Sequence, residues 1–570
     1  MPRMPGLAPS QIFMLNRSQQ SAADAAVAKL RRLEFVRRLL AKDPTLWKRD
    51  EEHARVIRNR MGWLEVAGRL LGHALEIRTF AEQVHAAGIR HVVLLGMGGS
   101  SLCPDVLRST FRRKPGFPAL LVLDSTDPGM VAAIDKAIDP RHTLFIVASK
   151  SGTTLESQMF YQYFAASVPG DRFAAITDPG TKLEEMARAG GFLRVFTNPP
   201  DIGGRYSALS YFGMVPGACL GIDVGKLLER GDRMAKLLQP AHPIQDCPPV
   251  VLGATLGALG LAGRDKITFV ASPAIATFGY WVEQLIAEST GKEGKGLVPV
   301  EGEALGPPAI YGKDRVFVHL RLRGAKDTAV DRKISALRRA GHPCIIIHLD
   351  DLYDLGTEFN RWEIATATAG CLLGIDPFDE PNVKESKDNT ARVLEQYRAT
   401  RVLPSSPPDI SEGGVDMWTT VPFPLERGGR KSTGLQRVLH SLCHSVRPGD
   451  YIALTAYMQM DAPTKARLQK LRLRLRDRCR AATTLGFGPR FLHSTGQLHK
   501  GGAGNGVFLQ ITCDRKQDLG IPGEDYSFGV LQAAQAAGDF ASLANHRRRV
   551  VRLHLTGGVL KQIEKITASV

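Results

Sequence analysis

Short apolar runs, each followed by a helix-length stretch, recur along this chain and restrict its fold more than any other feature. HVVLLGMGGSS begins at His91, and similar runs are LLVLD (120–124), TLFIVAS (143–149) and FAAITD (173–178). These runs are apolar at successive positions rather than alternate ones. Such strands have to be covered on both faces, as in a parallel sheet between layers of helices. A second round begins after a Gly- and Pro-rich region near 240–250, with KITFVAS (266–272), RVFVHLRL (315–322) and CIIIHLD (344–350). Helices are predicted between its strands, over Phe278 to Ser289 and Glu358 to Leu373. A third α/β segment carries DYIALTAYM (450–458), GVFLQITC (506–513) and RRVVRLHL (548–555). Ahead of all this, residues 18–88 have few Gly or Pro and carry apolar residues at helical spacing, as in Ala26, Leu30, Leu33 and Val36. The expected organisation is an N-terminal helical segment (1–88), two α/β domains (89–245 and 246–400), a Pro/Gly-rich linker (401–445) and a C-terminal α/β domain (446–570). Two successive units of similar size suggest duplication.

Composition sets limits on function. The 570 residues are 44% hydrophobic and 23% charged, enough to bury a large core without disulfides or metal. The eight cysteines include no C-x-x-C pair and no zinc spacing, so reduced thiols and no metal are expected. Residues 1–36 lack the apolar core of a signal peptide, and 250–262 is too short and Gly-rich to span a bilayer. A cytoplasmic location without a membrane partner is therefore expected. The net charge of +17 suits an anionic ligand. One basic run, Lys465 to Arg480, reads as a solvated, Arg-rich helix resting on its leucines. A polyanion-binding helix is the sharper alternative, but no nucleic-acid-binding signature accompanies it and nucleic acid is not expected.

Five segments can carry chemistry. G-M-G-G-S-S (Gly96 to Ser101) is a strand-to-helix turn whose backbone N–H groups can cradle an anion. S-K-S-G-T-T (Ser149 to Thr154) places four hydroxyls and a lysine in six residues at a helix start, a phosphate-binding composition, although such a run also serves as a simple N-cap. In G-G-R-Y-S (Gly203 to Ser207), two glycines let the backbone approach while Arg205 can hold a phosphate or a developing enediolate, although an arginine in a loop is usually solvated. In W-V-E-Q-L-I-A-E-S-T-G-K (Trp281 to Lys292), Gln284 and Glu288 share one helical face, and Glu288 near the end of an apolar helix can be desolvated into a useful base. The last segment runs from Gly370 to Lys387, where Pro377 and Pro381 bracket a rigid turn.

Together and in this order the five segments resemble the phosphoglucose isomerase family, and most closely the isomerase part of bacterial transaldolase/phosphoglucose isomerase fusion proteins. The resemblance implies two sugar-isomerase (SIS) domains, each a parallel sheet flanked by helices, with an extra C-terminal α/β domain here. It implies a phosphorylated hexose as substrate, a homodimer with shared active sites, a functional association with transaldolase, and no cofactor. Glucose 6-phosphate and fructose 6-phosphate would interconvert through a cis-enediol, in glycolysis and gluconeogenesis. By the same resemblance, Gly99, Ser100, Ser149, Lys150, Ser151 and Thr154 hold the phosphate. Glu288 moves the proton between C1 and C2, Arg205 stabilises the enediolate, Gln284 positions the substrate and Lys387 helps to open the ring. A sugar-phosphate-sensing regulator built on the same domains is the alternative.

The chain departs from the family in three places. The signature's Gln is Glu380, and its Gly-Val-Glu is Asn382, Val383 and Lys384. No histidine lies between Lys292 and Val318, where the family places a ring-opening His. A long segment also follows Lys387, and within it L-H-S-T-G-Q-L-H-K-G-G (Leu492 to Gly502) resembles the missing piece. The C-terminal domain is therefore expected to return an imidazole to the site, His499 in preference to His493, with Lys500 as a nearby substrate contact.

Overall fold

A computed structural model describes residues 10–422, 433–515 and 517–570. Three sheets organise it. The first contains β2 (His91–Gly96), β3 (Ala119–Leu123), β4 (Thr143–Ala148), β5 (Phe173–Thr177) and β6 (Arg194–Thr197), all parallel in the order β3-β2-β4-β5-β6. The second holds β7 (Lys266–Ala271), β8 (Val298–Val300), β9 (Arg315–Leu322) and β10 (Cys344–Leu349), also parallel, with β1 (Gln11–Met14) added antiparallel at the β10 edge. In the third, β13 (Tyr451–Tyr457), β14 (Ala482–Phe487), β15 (Gly506–Cys513) and β16 (Arg549–Leu555) are parallel. The hairpin β11 (Ile410–Glu412) and β12 (Val415–Thr419) pairs antiparallel with β16 at one edge of that sheet.

The uniform apolarity of the strands has the consequence expected of it. In β2, Val92 and Leu94 enter the main core beneath the N-terminal helices, while Val93 and Leu95 face the opposite way. That second face is covered by Leu394, Phe528, Leu531 and Ala534, so residues far along the chain roof the first sheet.

Several boundaries differ from the expected ones. The N-terminal segment is not wholly helical, because Gln11–Met14 completes the second sheet, where Phe13 packs against the core. The region 401–445 is more than a linker: its hairpin buries Val415 and Met417 in the C-terminal core, and helix Gly434–Ser445 packs there too. Residues 423–432 of that region lie outside the described residues. Helix Pro381–Thr400 packs along helix Phe528–Asn545 of the C-terminal unit. The basic run forms helix Ala462–Cys479 on buried Leu468, Leu471 and Leu475, but two of its arginines are interior rather than solvated. Arg472 donates to Glu301 O at 2.6 Å and to Thr483 O, and Arg476 donates to Ala304 O, so both clamp the C-terminal unit onto the loop after β8. Among the described residues no helix is long and apolar enough to cross a membrane.

Candidate active site

Because β2 and β4 are parallel neighbours, their C-terminal ends deliver Gly96–Ser101 and Ser149–Thr154 to the same edge of the first sheet, where ligands of open parallel sheets bind. Two glycines there permit close backbone approach. A Cβ on Gly98, whose φ is +54°, would lie 2.8 Å from the His493 carbonyl oxygen and 2.9 Å from Gln284 Nε2. A Cβ on Gly99 would lie 2.0 Å from Gly204 O. In the second loop Ser149 Oγ is 2.9 Å from Thr154 Oγ1, and Ser151 Oγ is 2.9 Å from Thr153 Oγ1. Thr154 leads directly into helix Leu155–Ala165, whose first-turn amides receive no side-chain cap. Lys150 is set apart from these hydroxyls: its ammonium pairs with Asp178 and donates to Pro200 O.

Helix Phe278–Thr290 carries the acid–base corner. Gln284 and Glu288 are one turn apart, and Gln284 Nε2 donates to Glu288 Oε2 at 2.9 Å and to the His493 carbonyl at 2.8 Å. Glu288 is 12% exposed, and its Oε1 lies 3.1 Å from Arg205 Nη1. Burial raises its carboxyl above the ordinary range, Arg205 pulls it back and the like charge of Glu380 pushes it up again. The Arg205 guanidinium is 2% exposed and fully engaged. Its Nε donates to Ser289 Oγ at 2.8 Å, its Nη2 to the carbonyls of Pro377 and Asp379, and its Nη1 to Glu380 Oε2 at 3.0 Å. Stacked rings of Trp63 and Tyr206, with Phe378 against Tyr206, form a wall beside it. Lys292 is also buried and is held by Asp379; burial lowers its ammonium below the ordinary range.

A second corner adjoins the first through Gln284. A cavity of about 270 Å³ is lined by Thr153, Glu156, Ser386, Lys387, His493 and Gln535, among others. His493 Nε2 is 2.9 Å from Glu156 Oε1, and that oxygen also accepts from Gln535 Nε2 at 2.7 Å. Gln535 Oε1 in turn accepts from Thr126 Oγ1 at 2.7 Å. Burial acts to raise the Glu156 carboxyl, but His493 and, further off, Lys387 outweigh it and leave it below its ordinary range. Gln497 braces the corner: it accepts from Asn382 N at 2.9 Å and donates to Asn382 Oδ1 and Gly291 O, tying the ends of two site helices together.

The structure therefore gathers Gly99, Ser100, Ser149, Ser151, Thr154, Arg205, Gln284, Glu288 and Lys387 around one edge, and corrects the histidine. His499 lies not in the site but in the C-terminal core, among the rings of Tyr451, Phe491 and Phe508. It is 3% exposed, and burial drives its imidazole well below the ordinary range. The short helix Gly496–Gly501 turns His499 inward, while the turn before it ends at His493 and leaves that ring, 15% exposed, on the cavity wall. Lys500 is likewise no substrate contact, because it is buried in an ion pair with Asp539 at 2.9 Å. Glu156 and Gln535 escaped the sequence reading. An acid in a helix's first turn is ordinarily explained by the helix dipole. Gln532, Gln535 and Asp539, polar residues on the buried face of an apolar helix, were a readable signal.

Comparison with known proteins agrees with this geometry. The family model described as phosphoglucose isomerase matches residues 66–296, which include Arg205, Gln284 and Glu288. The glucose-6-phosphate isomerase of Rubrobacter xylanophilus is 29% identical over 361 residues, 54% of this chain and 83% of that protein. That of Methanocaldococcus jannaschii is 26% identical over 355 residues, 54% of this chain and 85% of that protein. Over about half of its length the chain is thus similar to glucose-6-phosphate isomerases, and residues 66–296 match the phosphoglucose isomerase model. A glucose-6-phosphate isomerase structure from Chlamydia trachomatis shares this chain's fold with a TM-score of 0.56 at 18% identity, covering 68% of this chain and 88% of that one. A hypothetical protein from Thermus thermophilus does so with a TM-score of 0.55 at 23% identity, covering 68% of this chain and all of that one. The family match includes Glu156 but ends well before His493, Gln535 and Lys387, so the second corner lies only partly within it.

Proposed function

We propose that the protein interconverts glucose 6-phosphate and fructose 6-phosphate, with Glu288 as the base. The observation that carries this reading is a desolvated carboxylate 3.1 Å from a buried guanidinium, beside a loop of hydroxyls and unpaired amides suited to a phosphate. The phosphate sits against Ser149, Ser151, Thr154 and the turn at Gly99 and Ser100, and Lys150 contributes its charge from its pair with Asp178. His493 and Lys387 face the ring oxygen. In ring opening the C1–O5 bond breaks, O5 gains a proton and the O1 hydroxyl loses one. Glu288 then takes the C2 proton, the electron pair moves to form the C1–C2 double bond, and negative charge arises on O1 beside Arg205. Proton transfer between the oxygens and return of the proton from Glu288 to C1 complete the isomerisation. The scheme needs no cofactor. A pure sugar-phosphate sensor needs no base, and the Glu288–Arg205 arrangement does not favour one.

Since the imidazole comes from the same chain, a homodimer is proposed as the assembly but not as the source of the histidine. An association with transaldolase is proposed from the family resemblance alone, and co-purification of the two enzymes tests it. The reaction itself is tested by following glucose 6-phosphate formation from fructose 6-phosphate in the presence of EDTA. Glu288→Gln is expected to lower kcat by about 10³-fold, within the range for loss of a general base. Full activity of Glu288→Gln would overturn the assignment.

A further inference from the structure

Glu380 is a carboxylate on the acid–base corner that the proposed reaction does not use. It stands just before helix Pro381–Thr400, its side chain is 40% exposed, and it shares Arg205 Nη1 with the base: 3.0 Å to Glu380 Oε2 and 3.1 Å to Glu288 Oε1. Two carboxylates on one nitrogen lie within a few ångströms of each other, so ionising either one raises the cost of ionising the second. The other groups facing this pair are Gln284 from the base-bearing helix, Lys292 just beyond its end and Arg60 from the N-terminal helical region. Lys292 is already held by Asp379.

We propose that Glu380 is a positioning residue that sets the operating pH of the base: by taking half of the Arg205 nitrogen and adding its own charge, it keeps Glu288 a stronger proton acceptor than Arg205 alone would allow. The directions of the two carboxyls agree, since that of Glu288 lies above its ordinary value and that of Glu380 below. The division of labour also explains the exposure difference. The solvated partner holds the charge, and the buried partner keeps a proton affinity suited to taking one from carbon. The same bond anchors Arg205 before a substrate charge arrives.

This inference rests on the isomerase reading, and its test separates the two. The kcat of the wild-type chain for saturating fructose 6-phosphate is measured against pH beside Glu380→Gln and Glu380→Asp, with folding followed by circular dichroism and melting. An inactive wild-type chain sinks the isomerase reading, and Glu380 with it. With an active wild type, Glu380→Gln is expected to move the acid limb of the kcat profile down by about one pH unit. Glu380→Asp, which keeps the charge, should leave the limb near its wild-type position. An unmoved limb in Glu380→Gln, or an equal shift in both variants, would overturn the proposal while leaving the isomerase assignment intact. Should Glu380→Gln not fold, Glu380→Ala takes its place with the same two outcomes.

Discussion

The two corners of the site are built in different ways. The acid–base corner comes largely from one helix: Gln284 and Glu288 are one turn apart, and Ser289 next to them fixes Arg205. The imidazole corner has no such local origin. Glu156 meets His493 across 337 positions and Gln535 across 379, and Thr126 reaches Gln535 across 409. Glu288, Gln284 and Arg205 of the first corner lie within the family match, whereas His493, Gln535 and Lys387 of the second lie beyond it. A carboxylate with its orienting amide can be encoded by a short pattern, whereas an imidazole held by a buried acid requires two units distant in sequence to be in register.

This contrast predicts graded losses. Beyond the large effect of Glu288→Gln, His493→Ala is expected to lower turnover of cyclic substrate by about 10²-fold, the lower end for a lost acid–base group. His499→Ala, by contrast, should destabilise the C-terminal core by about 1–3 kcal/mol while leaving kcat per folded molecule intact. Stopped-flow turnover and thermal melts of the two variants separate these outcomes, and the reverse pattern would restore His499 to the site. Glu156→Gln should cost less, about 10-fold, as expected when a group that orients a functional residue is altered. Because Glu156 acts only through His493, its loss should vanish in the His493→Ala background; additive losses would show that it touches substrate itself.

How much of this was legible in the sequence follows from the same contrast. Strands β2, β4, β9 and β15 were visible because each is a run of apolar residues buried on both faces. The short strands β6, β8 and β14 were not, since RVFT, VPV and ATTLGF are held by their neighbours' ladders rather than by their own apolarity. The hairpin β11–β12 was hidden in a Pro/Gly/Ser-rich stretch for the same reason. That Glu288, Gln284 and Arg205 meet was readable through the family resemblance, which rests on the order and spacing of the five segments. The choice between His493 and His499 was not, because six residues of sequence do not say which side of a turn faces a core. Lys500 misled as well: a lysine next to glycines reads as exposed, and only Asp539 from a distant helix makes its burial tolerable.

The smallest predicted effect on activity concerns Glu283, on the same helix as Glu288. Burial, with the like charge of Glu301 next in weight, pushes its carboxyl up to about 8. It thus shares with Glu288 a raised proton affinity, but among the described residues no guanidinium is bonded to it, and it faces a different cavity, lined by Tyr280, Lys465 and Arg490. If burial alone made a base, Glu283 would qualify; the proposed base is instead the residue beside Arg205. Glu283→Gln should therefore leave kcat unchanged. Its effect should appear in stability. The native carboxyl retains a proton between its unfolded value of 4.5 and about 8, so the native state binds more protons than the unfolded state across that window and loses stability as pH rises through it. Glutamine cannot ionise, so Glu283→Gln should match the wild type near pH 5 and exceed it by about 3 kcal/mol near pH 8. Urea melts at the two pH values measure the difference. A gain that is equal at both would place the effect in packing rather than ionisation, and a loss of kcat would show that the two carboxylates of this helix work together.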